Sequence, residues 1–90
     1  MDRTAIEATL QRDGYEVVVR TMEPSTTNPE HAHDFDARVL VVAGEMTLAR
    51  DGASRAYRPG ESFEIIHGHR HAEIAGPDGA TYIAGRRMPS

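Results

Sequence analysis

The sequence predicts an all-β domain, an antiparallel sandwich or barrel preceded by one short helix. Three observations predict it. The first is a series of seven or eight short strand-like segments, with turn signals at intervals of about 8–12 residues. The second is that the histidines fall in clusters with a spacing of two, which is the period of a strand. The third is length: 90 residues make one small domain with one core.

The elements follow in order. Thr4-Ala-Ile-Glu7 fits a capping box, which predicts a helix over about residues 4–12 ended by Asp13-Gly14. Residues 1–13 thus form an N-terminal helical segment, residues 14–85 the barrel and residues 86–90 a loose tail. Tyr15 to Met22 reads as a valine-rich strand. Glu23 to Glu30, with Pro24 and Pro29 among small polar residues, reads as a loop. His31 to Phe35 is extended, and Arg38 to Ala43 is a strand that ends at a bend or bulge at Gly44-Glu45. Met46 to Arg50 and Ser54 to Tyr57 flank Asp51-Gly52, a hairpin signal. Ser62 to Ile66 and His71 to Ala75 are strands separated at Gly68. Pro77-Asp78-Gly79 reads as a turn before a last strand, Ala80 to Gly85.

Composition excludes several kinds of chemistry. Charged residues make up 27% and hydrophobic residues 39%, an ordinary globular mixture. There is no cysteine, hence no disulfide, thiolate nucleophile or zinc-finger ligand set. All ten basic residues are arginine, which removes Schiff-base catalysis. A net charge of −4 argues against a nucleic-acid partner. The longest apolar run, Val39 to Ala43, is too short to span a bilayer, and the N-terminus has no signal-peptide pattern. A cytoplasmic protein without a membrane partner is expected. No Ser-His-Asp triad, phosphate loop or basic stripe is evident.

The histidines indicate where chemistry would occur. On an extended chain His31 and His33 aim two imidazoles at one point, and His71 can close on it from a neighbouring strand. Imidazole is the commonest protein ligand for divalent transition metals.

The two histidine segments together resemble the two motifs of the cupin superfamily. The first motif is a glycine, His-x-His, three or four residues, a Glu, six residues and a Gly; here it runs from His31-Ala-His33 to Gly44-Glu45. The second resembles Gly60-Glu61 through Ile66-His67-Gly68 to His71, with Ile66 where proline is usual. The resemblance covers about residues 28–85 and implies a small single-domain cupin, an antiparallel barrel of double-stranded β-helix or jelly-roll type. It also implies a metal site of His31, His33 and His71. Ala37 stands where the family has its Glu ligand, and it shares the inward parity of the two first-motif histidines.

A three-histidine site leaves open positions for water or substrate, and an all-histidine set resembles that of some cupin dioxygenases. It leaves the full charge on the ion, which favours a small anionic, chelating substrate. Ligand type does not choose among iron, zinc, nickel, cobalt and manganese.

Other groups are candidates for the pocket. Glu73 shares parity with His71 and reads either as a base or replacement ligand in the cavity, or as part of a solvated sheet face. His69 reads as a rim or second-layer residue, or as exposed; His67 reads as exposed. Tyr82 and Tyr57 offer hydroxyls or core packing. Asp34, Asp36 and Arg38 have outward parity, and Phe35, Val39, Val41, Phe63 and Ile65 read as core. Leu40 and Val42 are apolar on the outward face, so either a second copy in a homodimer or the N-terminal segment should cover them. Three functional classes stay open: a metal-dependent enzyme of oxygenase or isomerase type, a small-molecule sensor without turnover, and a vestigial barrel with an interaction role.

Overall fold

The computed structural model describes residues 2–89. Its elements are α1 (Arg3–Arg12), β1 (Glu16–Met22), β2 (Thr27–His31), β3 (Asp36–Arg50), β4 (Ala53–Tyr57), β5 (Ser62–Ile65) and β6 (His71–Arg87). All pairings are antiparallel. The strand order is β1-β6-β3-β4, with β2 added to β6 and β5 to β3. The sheet curls so that Met22, Val41, Met46, Tyr57, Phe63 and Ala80 from five strands meet in one core.

The helix begins earlier than the capping-box pattern predicts. Asp2 is the N-cap, and its carboxylate accepts the Ala5 N–H at 3.1 Å. Thr4 and Glu7 lie inside the helix. Asp is at least as good a cap as Thr and comes two residues sooner, so the helix nucleates there. The C-terminus closes as expected. Gly14 has φ +87°, its N–H donates to Gln11 O at 3.0 Å, and the Tyr15 N–H donates to Leu10 O at 2.9 Å. Those two bonds are a Schellman motif. It delivers Tyr15 onto Leu10, and the pair packs with Ile83, Ile6, Leu40 and Val42 in a second apolar cluster. The N-terminal segment therefore packs against Leu40 and Val42.

Six strands stand where seven or eight short ones are predicted, because β3 and β6 each run unbroken through a bend. The Pro77-Asp78-Gly79 segment does not end a strand. It belongs to an outward bulge in which residues 76–79 lie opposite Glu45 alone, between the pairs Gly44↔Ala80 and Met46↔Ala75. The register of β3 shifts twice, between Val41 and Ala43 and between Gly44 and Met46. The shifts change which parity faces inward: Ala37, Val39 and Val41 are buried before them, Met46 and Leu48 after them. The same switch in β6 puts His71 and Ala75 inside on odd numbers, then Ala80 and Ala84 on even ones. Ile83, with no exposed surface, lies on the opposite side beneath the helix.

Two further boundaries differ from the sequence reading. The predicted loop before His31 contains β2, an edge strand paired only with β6. Pro29 masks it, yet an edge strand tolerates a missing N–H. The tail is shorter than predicted, because Arg86 and Arg87 pair with Glu16 and Asp36. Arg87 also donates to Asp13 O at 2.9 Å and covers the Tyr15 ring.

Asp51 (φ +55°) and Gly52 (φ +76°) form the predicted two-residue hairpin turn, with the positive φ values a type I′ turn requires. Gly44 also has positive φ, but a Cβ there would strike the Gly79 carbonyl, whereas at Gly52 it meets open space. Gly44→Ala is therefore expected to lower unfolding free energy by more than about 2 kcal/mol, and Gly52→Ala by about 1 kcal/mol. Urea denaturation of the two variants checks the ranking; equal losses would contradict it.

Candidate metal centre

β2 and β6 build the site. Their register sets His31 directly opposite His71 and Asn28 opposite Glu73. His33 lies just past β2, and its carbonyl accepts the Gly68 N–H at 2.8 Å. His67 reinforces that link: its backbone N–H and ring Nδ1–H both donate to Asp36 Oδ1 at 2.9 Å. The turn before His71 is thus pinned to the segment that carries His33. Gly68 supplies the left-handed residue this turn needs, at φ +79°.

The three predicted imidazoles converge. Ring centroids are 4.7 Å apart for His31 and His33, 4.3 Å for His31 and His71, and 5.2 Å for His33 and His71. One nitrogen from each ring lies within 4.8 Å of the other two. His71 is fully buried at its side chain, His31 is partly exposed, and His33 stacks on Phe35 at 4.5 Å.

Backbone carbonyls set the tautomers of two rings. His31 Nδ1 lies 2.7 Å from Pro29 O, and His71 Nδ1 lies 2.9 Å from His69 O. A carbonyl only accepts, so each Nδ1 carries the hydrogen and each Nε2 presents a lone pair. Metal-binding histidines are oriented in the same manner. His71 Nε2 is buried and has no hydrogen-bond partner. Glu73 Oε2 approaches it to 3.4 Å without hydrogen-bond geometry. Burial foremost, then the neighbouring His31 and His71, hold His33 below its ordinary value of 6.5, so His33 is neutral at pH 7.

The rings face a cavity of about 180 Å³. That is below the about 300–1,000 Å³ of drug-sized pockets, and it suits a small molecule. Ala37 lines the cavity and offers only a methyl group. Tyr82 lines it too; burial foremost, then the Glu73 carboxylate, hold its phenol above 10.0, so it stays a neutral donor. Glu73 points inward, its side chain only 13% exposed, rather than onto a solvated face. His69 contributes its carbonyl, whereas its ring turns away to Asp51 at 2.9 and 3.0 Å. Arg38 pairs with Glu64 outside, and Tyr57 is core against Phe63.

Sequence reasoning does not find three polar wall residues, Asn28, Arg20 and Arg86. Asn28 lies in the segment that reads as a loop, and its parity is opposite to that of His31; the register shift between Asn28 and His31 brings it to the cavity, a signal the sequence does not carry. Arg20 and Arg86 also line the cavity, Arg86 bound to Glu16 at 3.0 Å. Their even parity follows the inward side chains Val18, Tyr82 and Ala84.

Comparison with known proteins agrees with this geometry. Residues 18–83 match the cupin domain family, and the chain belongs to it. Similar folds include KdgF from a Halomonas species, at 22% identity and a TM-score of 0.71, over 84% of this chain and 71% of that one. A protein of unknown function from Rhizobium leguminosarum aligns over 99% of this chain and 97% of its own, at 16% identity and a TM-score of 0.79. An HTH_3 family transcriptional regulator from Vibrio cholerae aligns over 89% of this chain but 46% of its own length, at 16% identity and a TM-score of 0.74. At these identities the likeness is one of fold. No curated protein matches. No helix among the described residues is long and apolar enough to cross a membrane.

The two His67 hydrogen bonds hold the Asp36 carboxyl below its ordinary value of 3.8. A carboxyl lowered by folding contributes stability above its unfolded value and loses it as pH falls through the folded one. Asp36→Asn is therefore expected to be less stable than wild type at neutral pH, with the gap closing below pH 3.8. Urea denaturation across that range checks the sign; a gap that widens in acid would contradict it.

Proposed function

We propose that the chain holds one divalent transition metal on His31, His33 and His71 and presents it to a small anionic, chelating molecule in the cavity. The observation that carries this reading is His71 Nε2, a buried lone pair without a hydrogen-bond partner. Leaving such an acceptor unmet costs about 1–3 kcal/mol. A cation shared with the two neighbouring imidazoles removes that cost. Bound there, a divalent ion polarises a coordinated oxygen or, if iron, supports dioxygen chemistry.

The protein's own groups divide the remaining work. The Pro29 and His69 carbonyls orient two imidazoles. Arg20 and Arg86 place cationic groups on the cavity wall, where they favour a carboxylate or enolate. Tyr82 is a neutral hydroxyl donor to such an oxygen. Val18, Phe35, Val39 and Ile65 form the apolar wall that limits water.

Elemental analysis of untagged protein is expected to find about one metal ion per chain, and His71→Ala is expected to abolish uptake. Wild-type protein that carries no metal and takes none up would overturn the reading. Protons compete for the same lone pairs, so affinity is expected to weaken as pH falls below 6.5, the ordinary histidine value from which His33 is lowered. Metal binding followed against pH checks this. If the ion is iron, oxygen consumption with small diketones, catechols or thiols is expected; a ligand that raises Tm yet returns unchanged would identify a sensor instead.

A further inference from the structure

We infer that Glu73 is the anionic member of this centre and supplies from β6 the carboxylate that the family pattern places at residue 37. The inference deepens the three-histidine reading and rests on it. Residue 37 cannot serve: it is alanine, 8% exposed, with its methyl on the cavity wall. Glu73 lies two residues beyond His71, on the inward face of the same strand.

Its position is specific. Oε2 is 3.4 Å from His71 Nε2, and Oε1 is 4.0 Å from His31 Nε2. Donors that share one ion at about 2.1 Å each lie roughly 3–4.2 Å from one another, so each Glu73 oxygen stands at donor spacing from one imidazole nitrogen, just outside the three-histidine cluster itself. The fixed tautomers sharpen the point. Both Nε2 atoms present lone pairs, and a carboxylate oxygen presents lone pairs too. With both rings neutral, nothing in that pairing attracts until a cation, either a proton or a metal ion, stands between them.

The surroundings argue the same way. The side chain of Glu73 is 13% exposed, and among the described residues no arginine lies within ion-pair distance of it. A carboxylate this far from water is stabilised by a positive charge brought close to it. Asn28 Nδ2 donates to Oε1 at 3.1 Å and holds the group from the facing strand. Asn28 is a positioning residue: it pairs across the strands with Glu73, one register shift away from the pair that brings His31 to His71.

Cobalt(II) titration of the full chain tests the inference through binding rather than turnover. Glu73→Gln keeps the shape of the side chain and removes its charge. It is expected to weaken cobalt binding by about 10–100-fold and to alter the visible cobalt spectrum, with Tm of the metal-free protein little changed. Ala37→Glu in the Glu73→Gln background is expected to recover most of the affinity. The infrared difference spectrum of wild-type protein on cobalt binding is expected to contain a carboxylate band. Its absence would overturn the inference even if Glu73→Gln failed to fold, as would a Glu73→Gln variant that binds cobalt as tightly as wild type with the same spectrum. Wild-type protein that binds no cobalt would instead overturn the three-histidine reading itself, a distinguishable outcome.

Discussion

The antiparallel register between β2 and β6 governs the chemistry of this protein. Side chains alternate faces along a strand, so a slip of one residue would turn His31 away from His71 and Asn28 away from Glu73. β2 is short and lies at an edge, where few ladder bonds hold it. Its register is secured from outside the ladder. The Ser25 N–H donates to Gly76 O at 3.0 Å and the Ala75 N–H to Thr26 O at 2.9 Å, before the strand begins. Beyond it, Gly68 and His67 tie the opposite turn to His33 and Asp36. A proline that would damage a central strand is accommodated here, and its carbonyl orients an imidazole.

The two long strands extend that local order through the molecule. Bulges let β3 and β6 serve both parts of the curled sheet and reverse which side chains face the core. One strand can then carry His71 and Glu73 on odd numbers and Tyr82 and Ala84 on even ones, all facing the same cavity. Ile83 takes the outward face and is covered by Leu10 and Tyr15 from the helix and its cap. A chain of 90 residues in this way gains a second apolar layer beyond the barrel interior.

Much of this was legible in the sequence because strand periodicity and ligand spacing are local properties. The histidine pairs and the inward position of Ala37 follow from counting by two, and the Asp51-Gly52 hairpin from turn chemistry. Features set by tertiary pairing were not legible. Residues 76–79 have the composition of a turn, yet Glu45 across the sheet makes them a bulge. Thr27 to His31 has the composition of a loop, and only the partner β6 makes it a strand. Parity placed Glu73 beside His71 but could not decide between cavity and solvent; the Asn28 contact decides it. Parity gives no reading at His69, whose turn conformation sends the ring to Asp51 and leaves only its carbonyl to the site.

A crystal structure of cobalt-loaded protein, with anomalous data at the cobalt edge, examines the convergence of the imidazoles without reference to any substrate. One peak bounded by the Nε2 atoms of His31 and His71 and a ring nitrogen of His33, with both Nδ1–carbonyl bonds intact, is the predicted result. A peak elsewhere, such as between His69 and Asp51, or rings that have swung apart around an empty cavity, would contradict the account.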